Sequence, residues 1–390
     1  MRRFERIYDV VEPVEEYRAG GYHPVHLEDT FHHRYHVVGK WGFGQSSTVW
    51  LAKDTRLQRY VTLKILKANV SSDSQELSIL LHLSKASTDC PGRNIVLQLL
   101  DHFEHRSPNG LHLCLVFPVM MSDGEAMTVR ERPRYSDYVR NISKQLLQGL
   151  NFIHDQGLIH GDLQPANILF TLNSNLSSEI LTEPELSYIQ WLPGIESDNS
   201  APRYLVTSQR PRGMLDDVAF SALTVKIGDM GGDYKLLTVT IALWNIQYNA
   251  SPVTPVALRA PELLFQHSWN QKIDIWALGC LIFQLTTNEA LFPIECFGCS
   301  KDEVDRTLRS LIDNLFEGGI LQFTSRIREK VPTDFGQEES ENLADFLWAM
   351  LQEYAEDRKA TAELLSHPFI VGLSGAANGE SSRYMTHSVR

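Results

Sequence analysis

Cysteine is scarce in this chain. Five residues in 390, an odd number spread from Cys90 to Cys299, make no disulfide framework and fit a reducing compartment such as cytoplasm or nucleus. Long apolar stretches are missing too: no uncharged run reaches the roughly 18 residues of a membrane span. Met1–Gly20 carries Arg2, Arg3, Arg6 and several acids without the apolar centre of a secretory leader, so no membrane association is expected. Basic charge is in deficit, with 36 Lys and Arg against 48 Asp and Glu and a formal net charge of −12. That excludes a general nucleic-acid binder and is compatible with basic partners. Metal-type spacings are also absent. Cys296 and Cys299 form a CxxC with no second pair, and His23, His26, His32, His33 and His36 match no metal pattern, so both groups read as incidental. A hydrophobic content of 43% remains, enough to bury the core of one two-lobed domain or two ordinary ones.

The stretch Leu158–Phe170, LIHGDLQPANILF, organises what is present. It sets Asp162 five positions before Asn167, flanked by the strand-type residues Leu158 and Ile159 on one side and Ile168, Leu169 and Phe170 on the other. A loop held between short strands is a rigid mount for chemistry. In phosphoryl transfer, the Asp of such a loop accepts the proton of an incoming hydroxyl, and the Asn holds a metal ion against nucleotide phosphates. Asp and Asn are also ordinary turn formers, so the reading depends on partners elsewhere.

Those partners appear in order. After a strand opening at Tyr35–Val38, Gly42 and Gly44 precede Val49, a pattern suited to a β-turn-β whose backbone N–H groups lie over phosphates. Tyr60–Leu66 is a strand with one lysine, Lys64, among apolar neighbours. Gln75–Ser84 is helical, with Leu77, Leu80 and Leu81 inward and Ile79 a further candidate for that face, and Glu76 placed to pair with Lys64. Strands are expected over Ile95–Phe103 and Leu111–Val116, then a connector, Phe117–Met121, whose backbone groups can pair with a base. Tyr135–Gln156 is an amphipathic helix with Val139, Ile142, Leu146, Leu150 and Ile153 on one face. Thr171–Asp216, rich in Ser, Asn, Pro and Glu, reads as a partly disordered insertion with local order near Tyr188–Leu192 and Tyr204–Val206. A strand at Leu223–Ile227 ends in Gly228-Asp229-Met230-Gly231, where Asp229 can turn its carboxylate onto a metal. Asp274–Leu285 is apolar nearly all round and therefore buried, with Asp274 a structural anchor for the catalytic loop. Ser340–Tyr354 and Ala360–Leu365 are further helical stretches, and Gly372–Arg390 is a polar tail.

The ordered set Gly42-x-Gly44, Val49, Lys64, Glu76, Asp162 with Asn167, Asp229-x-Gly231, Ala260-Pro261-Glu262, Asp274 and Arg358 resembles the subdomain series of a eukaryotic protein kinase. Within that superfamily the chain is similar to the SR-protein kinases, fungal members especially. The likeness rests on Tyr17–Asp29 leading to RYHVVGK, on Ser47-Thr48-Val49-Trp50 with Ser47 in place of a third glycine, and on the insertion. The resemblance implies an α+β, two-lobed fold: a lead-in over 1–34, a small lobe over 35–117, and a large lobe over 118–370 interrupted by a spacer over 171–216. It implies a monomeric serine/threonine kinase using ATP and Mg²⁺ on basic Arg/Ser-rich proteins. Gly42, Gly44, Ser47 and Val49 would cover ATP, Lys64 paired with Glu76 would hold its phosphates, and Val119 and Met120 would flank the adenine. Asp162 would be the base, Asn167 and Asp229 the metal ligands, and Glu262 and Arg358 a buried pair. Asp302, Glu303, Asp305, Asp313 and Glu317 fall where the family carries a docking insertion.

Four departures stand out. Gln164 occupies the place of a lysine that faces the γ-phosphate, and Gly161 the place of an arginine that answers an activation-loop phosphate. Pro118 removes one hinge N–H, and Trp41 precedes the glycine turn. A pseudokinase keeping only the fold, and a small-molecule phosphotransferase of the aminoglycoside type, are the alternatives. The second lacks the Ala-Pro-Glu segment and the arginine partner present here.

Overall fold

The computed structural model describes residues 2–72, 74–128, 134–172, 183–210, 223–230, 254–265, 268–295 and 298–372. Gly231, Cys296 and the expected tail beyond Gly372 lie outside them. The N-terminal half is built on strands β1 (Thr30–Phe31), β2 (Tyr35–Phe43), β3 (Ser47–Asp54), β4 (Arg59–Leu66), β5 (Asp101–Ser107) and β6 (Gly110–Phe117). They form one antiparallel sheet in the order β1-β2-β3-β4-β6-β5. Helices α1 (Ala68–Ser71) and α2 (Glu76–Ser84) lie between β4 and β5. The inward residues of α2 are Glu76, Ile79, Leu80 and Leu83, while Leu81 is exposed and Leu77 half-buried. Of the expected inward residues only Leu81 departs: Ile79 and Leu80 are buried and Leu77 packs against the core, while turning Glu76 inward to meet a lysine rotates Leu81 out to water.

The strand expected over Ile95–Phe103 is also shifted. A single 3₁₀ turn at Arg93–Ile95 is followed by an extended passage in which Val96 bridges to Ile227 and the Leu97 N–H donates to the Ile227 carbonyl at 2.9 Å. This stretch ties the two halves together, and the sheet strand begins only at Asp101.

Strand β7 (Ser122–Asp123), the short α3 (Gly124–Thr128) and the long α4 (Ser136–Asp155) open the second half. All five apolar residues expected on one face of α4 are buried. Strands β8 (Ile168–Leu172) and β11 (Leu223–Ile227) pair with each other, and β7 pairs with β8, so that the Asp162 loop enters β8 directly. Helix α5 (Pro261–Leu264) precedes α6 (Lys272–Thr287), which is buried on nearly every side, as its uniform hydrophobicity requires. The helical run α7 (Lys301–Lys330), broken at Gly319, begins with a capping box between Ser300 and Glu303. Helices α8 (Gly336–Met350), α9 (Thr361–Leu364) and α10 (Pro368–Val371) complete this half. Helix α8 lies earlier than the expected Ser340–Tyr354. Past Met350 the chain leaves the helix, and the Arg358 guanidinium donates to the freed carbonyls of Gln352 and Glu353.

Within the insertion, the local order expected near Tyr188–Leu192 and Tyr204–Val206 takes the form of two paired strands. Strands β9 (Leu186–Tyr188) and β10 (Tyr204–Val206) pair antiparallel, and Val206 is buried in the core behind the six-stranded sheet. Leu205 packs with Tyr17 and Tyr22 of the lead-in. The lead-in and the insertion also bond to each other, through the Phe4–Trp191 bridge and the Asn109 amide, which donates to the carbonyls of both Tyr22 and Ser200 at 2.6 Å. At their meeting point Lys40 of β2 is fully buried. Its ammonium lies 2.5 Å from Glu12 and 4.1 Å from the centre of the Trp50 ring. Residues 183–210 are thus an ordered flank of the N-terminal half; 173–182 and 211–222 lie outside the described residues.

Candidate active site

Between the two halves lies a cavity of about 1000 Å³, and the residues singled out from the sequence converge on it. Gly42, Gly44, Ser47 and Val49 line its upper wall, where β2 turns into β3. A Cβ placed at Gly42 or Gly44 would meet nothing within 4 Å, so the turn borders open space that a bound group can enter. The turn is held from outside: the Gly44 N–H donates to the Ser47 carbonyl at 2.9 Å, and the Tyr22 hydroxyl donates to the Gly44 carbonyl at 2.7 Å.

Lys64 stands on the middle strand β4, pointing into the cavity. Its ammonium contacts both Glu76 oxygens at 2.8 and 2.9 Å and Asp229 Oδ1 at 2.8 Å. Glu76 reaches Lys64 because α2 presents its first residue to the sheet. Burial alone would lower the lysine pKa, but the charges of Asp229 and Glu76 outweigh it and hold the group above the usual lysine range. The same contact lowers the pKa of Asp229 through the charge of Lys64. Burial pushes Glu76 upward, with Lys64 opposing. Asp229 adopts a left-handed backbone with φ 55°, an uncommon and strained conformation for a side-chain-bearing residue, maintained where the surroundings impose it.

The loop ahead of β8 is fixed from beneath by Asp274 at the start of α6. One of its oxygens accepts the His160 N–H at 2.8 Å and faces His154 Nε2 at 3.0 Å; the other accepts the Gly161 N–H at 2.8 Å. Burial would raise the pKa of Asp274, yet these hydrogen bonds and the neighbouring imidazoles hold it below the usual carboxylate range. Gly161 has φ 74°, which glycine adopts without steric cost. His160 Nε2 reaches the Gly228 carbonyl at 3.0 Å, tying this loop to the residue before Asp229.

Asp162 does not itself line the cavity. It sits behind Gln164 and Asn167, which do. The Gln164 amide donates to both Asp162 oxygens at 2.9 and 2.8 Å, and Asn167 Nδ2 donates to Asp162 Oδ2 at 3.0 Å and to its carbonyl at 2.8 Å. Burial raises the Asp162 pKa, with His160 and the Gln164 hydrogen bond opposing. With its NH₂ engaged by Asp162, Asn167 has its amide oxygen left as a donor to a cation. The Asn167 oxygen and the Asp229 carboxylate supply two hard oxygen ligands on one cavity. That suits Mg²⁺ completing its shell with phosphate and water, and among the described residues no group of three or more His, Cys, Asp or Glu side chains could form an all-protein cage.

Met120 is among the residues lining the cavity and Val119 is not; Val119 is buried in the core, and its carbonyl accepts from the Thr171 hydroxyl at 3.4 Å. Sequence reasoning missed the residues that the lead-in and insertion contribute, among them Asp9, Glu185, Ser208 and Arg210, the last ion-paired with Asp123. No motif marks them; the order of strand-like residues near Tyr204–Val206 was the only signal. Far from the cavity, Glu262 and Arg358 make a buried two-point ion pair at 2.7 Å each.

A glycine turn over a lysine–glutamate pair, an Asp–Asn loop and an Asp at a strand end, set between a β-rich and a helical lobe, define a protein kinase fold with a nucleotide cleft. The protein kinase domain model matches residues 35–179 and 218–370, and the chain belongs to that family. It is a serine/threonine protein kinase, and its likeness to the SR-protein kinases holds across several relatives. It is 29% identical to the serine/threonine-protein kinase SRPK of Physarum polycephalum, over 92% of this chain and 91% of that one. It is 28% identical to protein kinase dsk1 of Schizosaccharomyces pombe, over 74% and 67%. A shorter match to SKY1 of Saccharomyces cerevisiae is 38% identical over 41% of this chain and 23% of that one. A crystal structure of the PF14_0431 kinase domain shares the fold, with a TM-score of 0.57 and 19% identity over 90% of this chain and 98% of that one.

Proposed function

We propose that this kinase transfers the γ-phosphoryl group of ATP to serine hydroxyls in Arg/Ser-rich proteins. The observation that carries the reading is Lys64, held between Glu76 and Asp229 in a cleft floored by Gln164 and Asn167. Lys64 pairs with the α and β phosphates, while Gly42, Gly44, Ser47 and Val49 cover them and Met120 borders the base. Asn167 and Asp229 would hold Mg²⁺, which supplies neutralisation of phosphate charge. Asp162, aimed by Gln164 and Asn167, accepts the proton of the substrate hydroxyl. The gain comes from positioning and fixed charge around a loose transition state.

The substrate class is supported by charge. The net charge is −12, and α7 exposes Asp302, Glu303, Asp313 and Glu317 while burying Val304, Leu308 and Ile312. Labelled phosphate from ATP should pass to an Arg/Ser-repeat peptide far faster than to the same peptide with every Arg replaced by Gln. Equal labelling of the two would contradict the substrate class and leave the kinase assignment untouched.

A further inference from the structure

The lead-in reaches the glycine turn through one side chain. Tyr22 is 2% exposed, and its hydroxyl donates to the Gly44 carbonyl at 2.7 Å. Its own place is set from several sides. The Tyr22 N–H donates to the Glu16 carbonyl at 3.0 Å, and the Tyr22 carbonyl accepts from the Asn109 amide at 2.6 Å. The ring lies 5.5 Å from that of Tyr17 and 4.3 Å from the Lys67 ammonium, which Glu16 holds at 2.9 Å. A Cβ at Gly21 would fall 1.8 Å from the Glu16 carbonyl oxygen, so the tight turn that delivers Tyr22 admits no side chain there. Burial, and then the charges of Glu12 and Glu16, raise the Tyr22 pKa, so the hydroxyl keeps its proton and acts as a donor.

The bond acts on the cleft through peptide geometry. The peptide joining Gly44 to Gln45 is trans and planar, so its carbonyl and its N–H point in opposite directions. With the carbonyl drawn to Tyr22, the Gln45 N–H faces away from Tyr22, which is itself outside the cavity wall. Bonds at both ends of Gly44, its N–H to the Ser47 carbonyl and its carbonyl to Tyr22, keep that peptide from rotating. A glycine left without them would have wide conformational freedom to lose when a ligand binds.

We propose that Tyr22 is a positioning residue for the nucleotide: by drawing the Gly44 carbonyl outward it aims the Gln45 N–H at the phosphates and sets the glycine turn before ATP arrives. This rests on the nucleotide reading of the cleft given above. Because the aimed group meets phosphate and not the base, loss of the hydroxyl affects phosphate-bearing ligands and spares a nucleoside.

The test compares Tyr22→Phe with the parent by calorimetric titration of MgADP, magnesium tripolyphosphate and adenosine. The control is Tyr17→Phe, which deletes a hydroxyl of the same buried cluster that bonds Glu12 and not the turn. Tyr22→Phe should weaken MgADP and tripolyphosphate about fivefold each, in line with one hydrogen bond, and leave adenosine unchanged. The KM for ATP should rise by the same factor with kcat held, because the turn grips the phosphates alike in ground and transition states. Tyr17→Phe should bind all three ligands as the parent does. Unchanged tripolyphosphate binding in Tyr22→Phe would overturn the inference by showing that the bond merely satisfies a buried hydroxyl. An equal loss for adenosine, or the same losses in Tyr17→Phe, would overturn it as a general loosening of the lobe. A parent that binds no MgADP would instead bring down the nucleotide reading itself.

Discussion

Gln164 shows how one substitution in the catalytic loop redistributes work. A lysine there would bring charge to the γ-phosphate; the amide brings none, and spends its two N–H donors on the carboxylate of Asp162. Those bonds stabilise the charged form of Asp162 and oppose the burial that raises its pKa. As the proposed base, Asp162 works ionised, so activity holds above its pKa and falls as pH drops through it. The acid limb of kcat/KM should lie above the ordinary aspartate value of about 3.9. Gln164→Ala should move that limb further up, because the charged form loses two donors; a pH–rate profile with the limb unmoved or lowered would contradict this. Gly161 carries a second expectation. Its left-handed backbone is secured by Asp274 and by the Thr254 hydroxyl, which donates to its carbonyl at 2.6 Å, with no guanidinium at that position. Phosphatase treatment should therefore leave turnover intact, and a loss of turnover after dephosphorylation would show that a loop phosphate is required.

Among the elements, those with a strong period were legible in the sequence and those whose order comes from distant contacts were not. The face of α4 and the uniform burial of α6 follow directly from residue pattern. In α2 one residue did not: with Glu76 paired to Lys64, Leu81, which the pattern turned inward, faces water. In the insertion, local order near Tyr204–Val206 was legible, but not its attachment: β10 buries Leu205 and Val206, and the Gln209 side chain and backbone both bond to Lys40. Order there derives from the lead-in and the sheet edge, neither of which is near it in sequence. Leu205→Ala should cost about 2–5 kcal/mol in denaturant unfolding, the usual range for emptying a packed leucine site. A change near zero would mean that the segment is merely tethered to the lobe.

At the scale of the molecule, the candidate catalytic residues come from three separate stretches and are assembled by the contact between lobes. Lys64 belongs to the middle of the six-stranded sheet, Asp162 and Asn167 to the loop before β8, and Asp229 to the end of β11. Their spacing and order made the cleft readable in advance. What spacing could not convey was that Gln164 and Asn167 cover the Asp162 carboxylate with hydrogen bonds, that Val119 is buried in the core, or that Trp41 bonds to the Met120 carbonyl. The buried Glu262–Arg358 pair and the Asp274 anchor hold the larger lobe against which this constellation is set. Single-turnover transfer of labelled γ-phosphate to an Arg/Ser-repeat peptide, comparing the parent with Asp162→Ala at saturating MgATP, tests the arrangement most directly. The account predicts that the variant still binds MgATP but transfers at least about a hundredfold more slowly; transfer at the parent rate would contradict it.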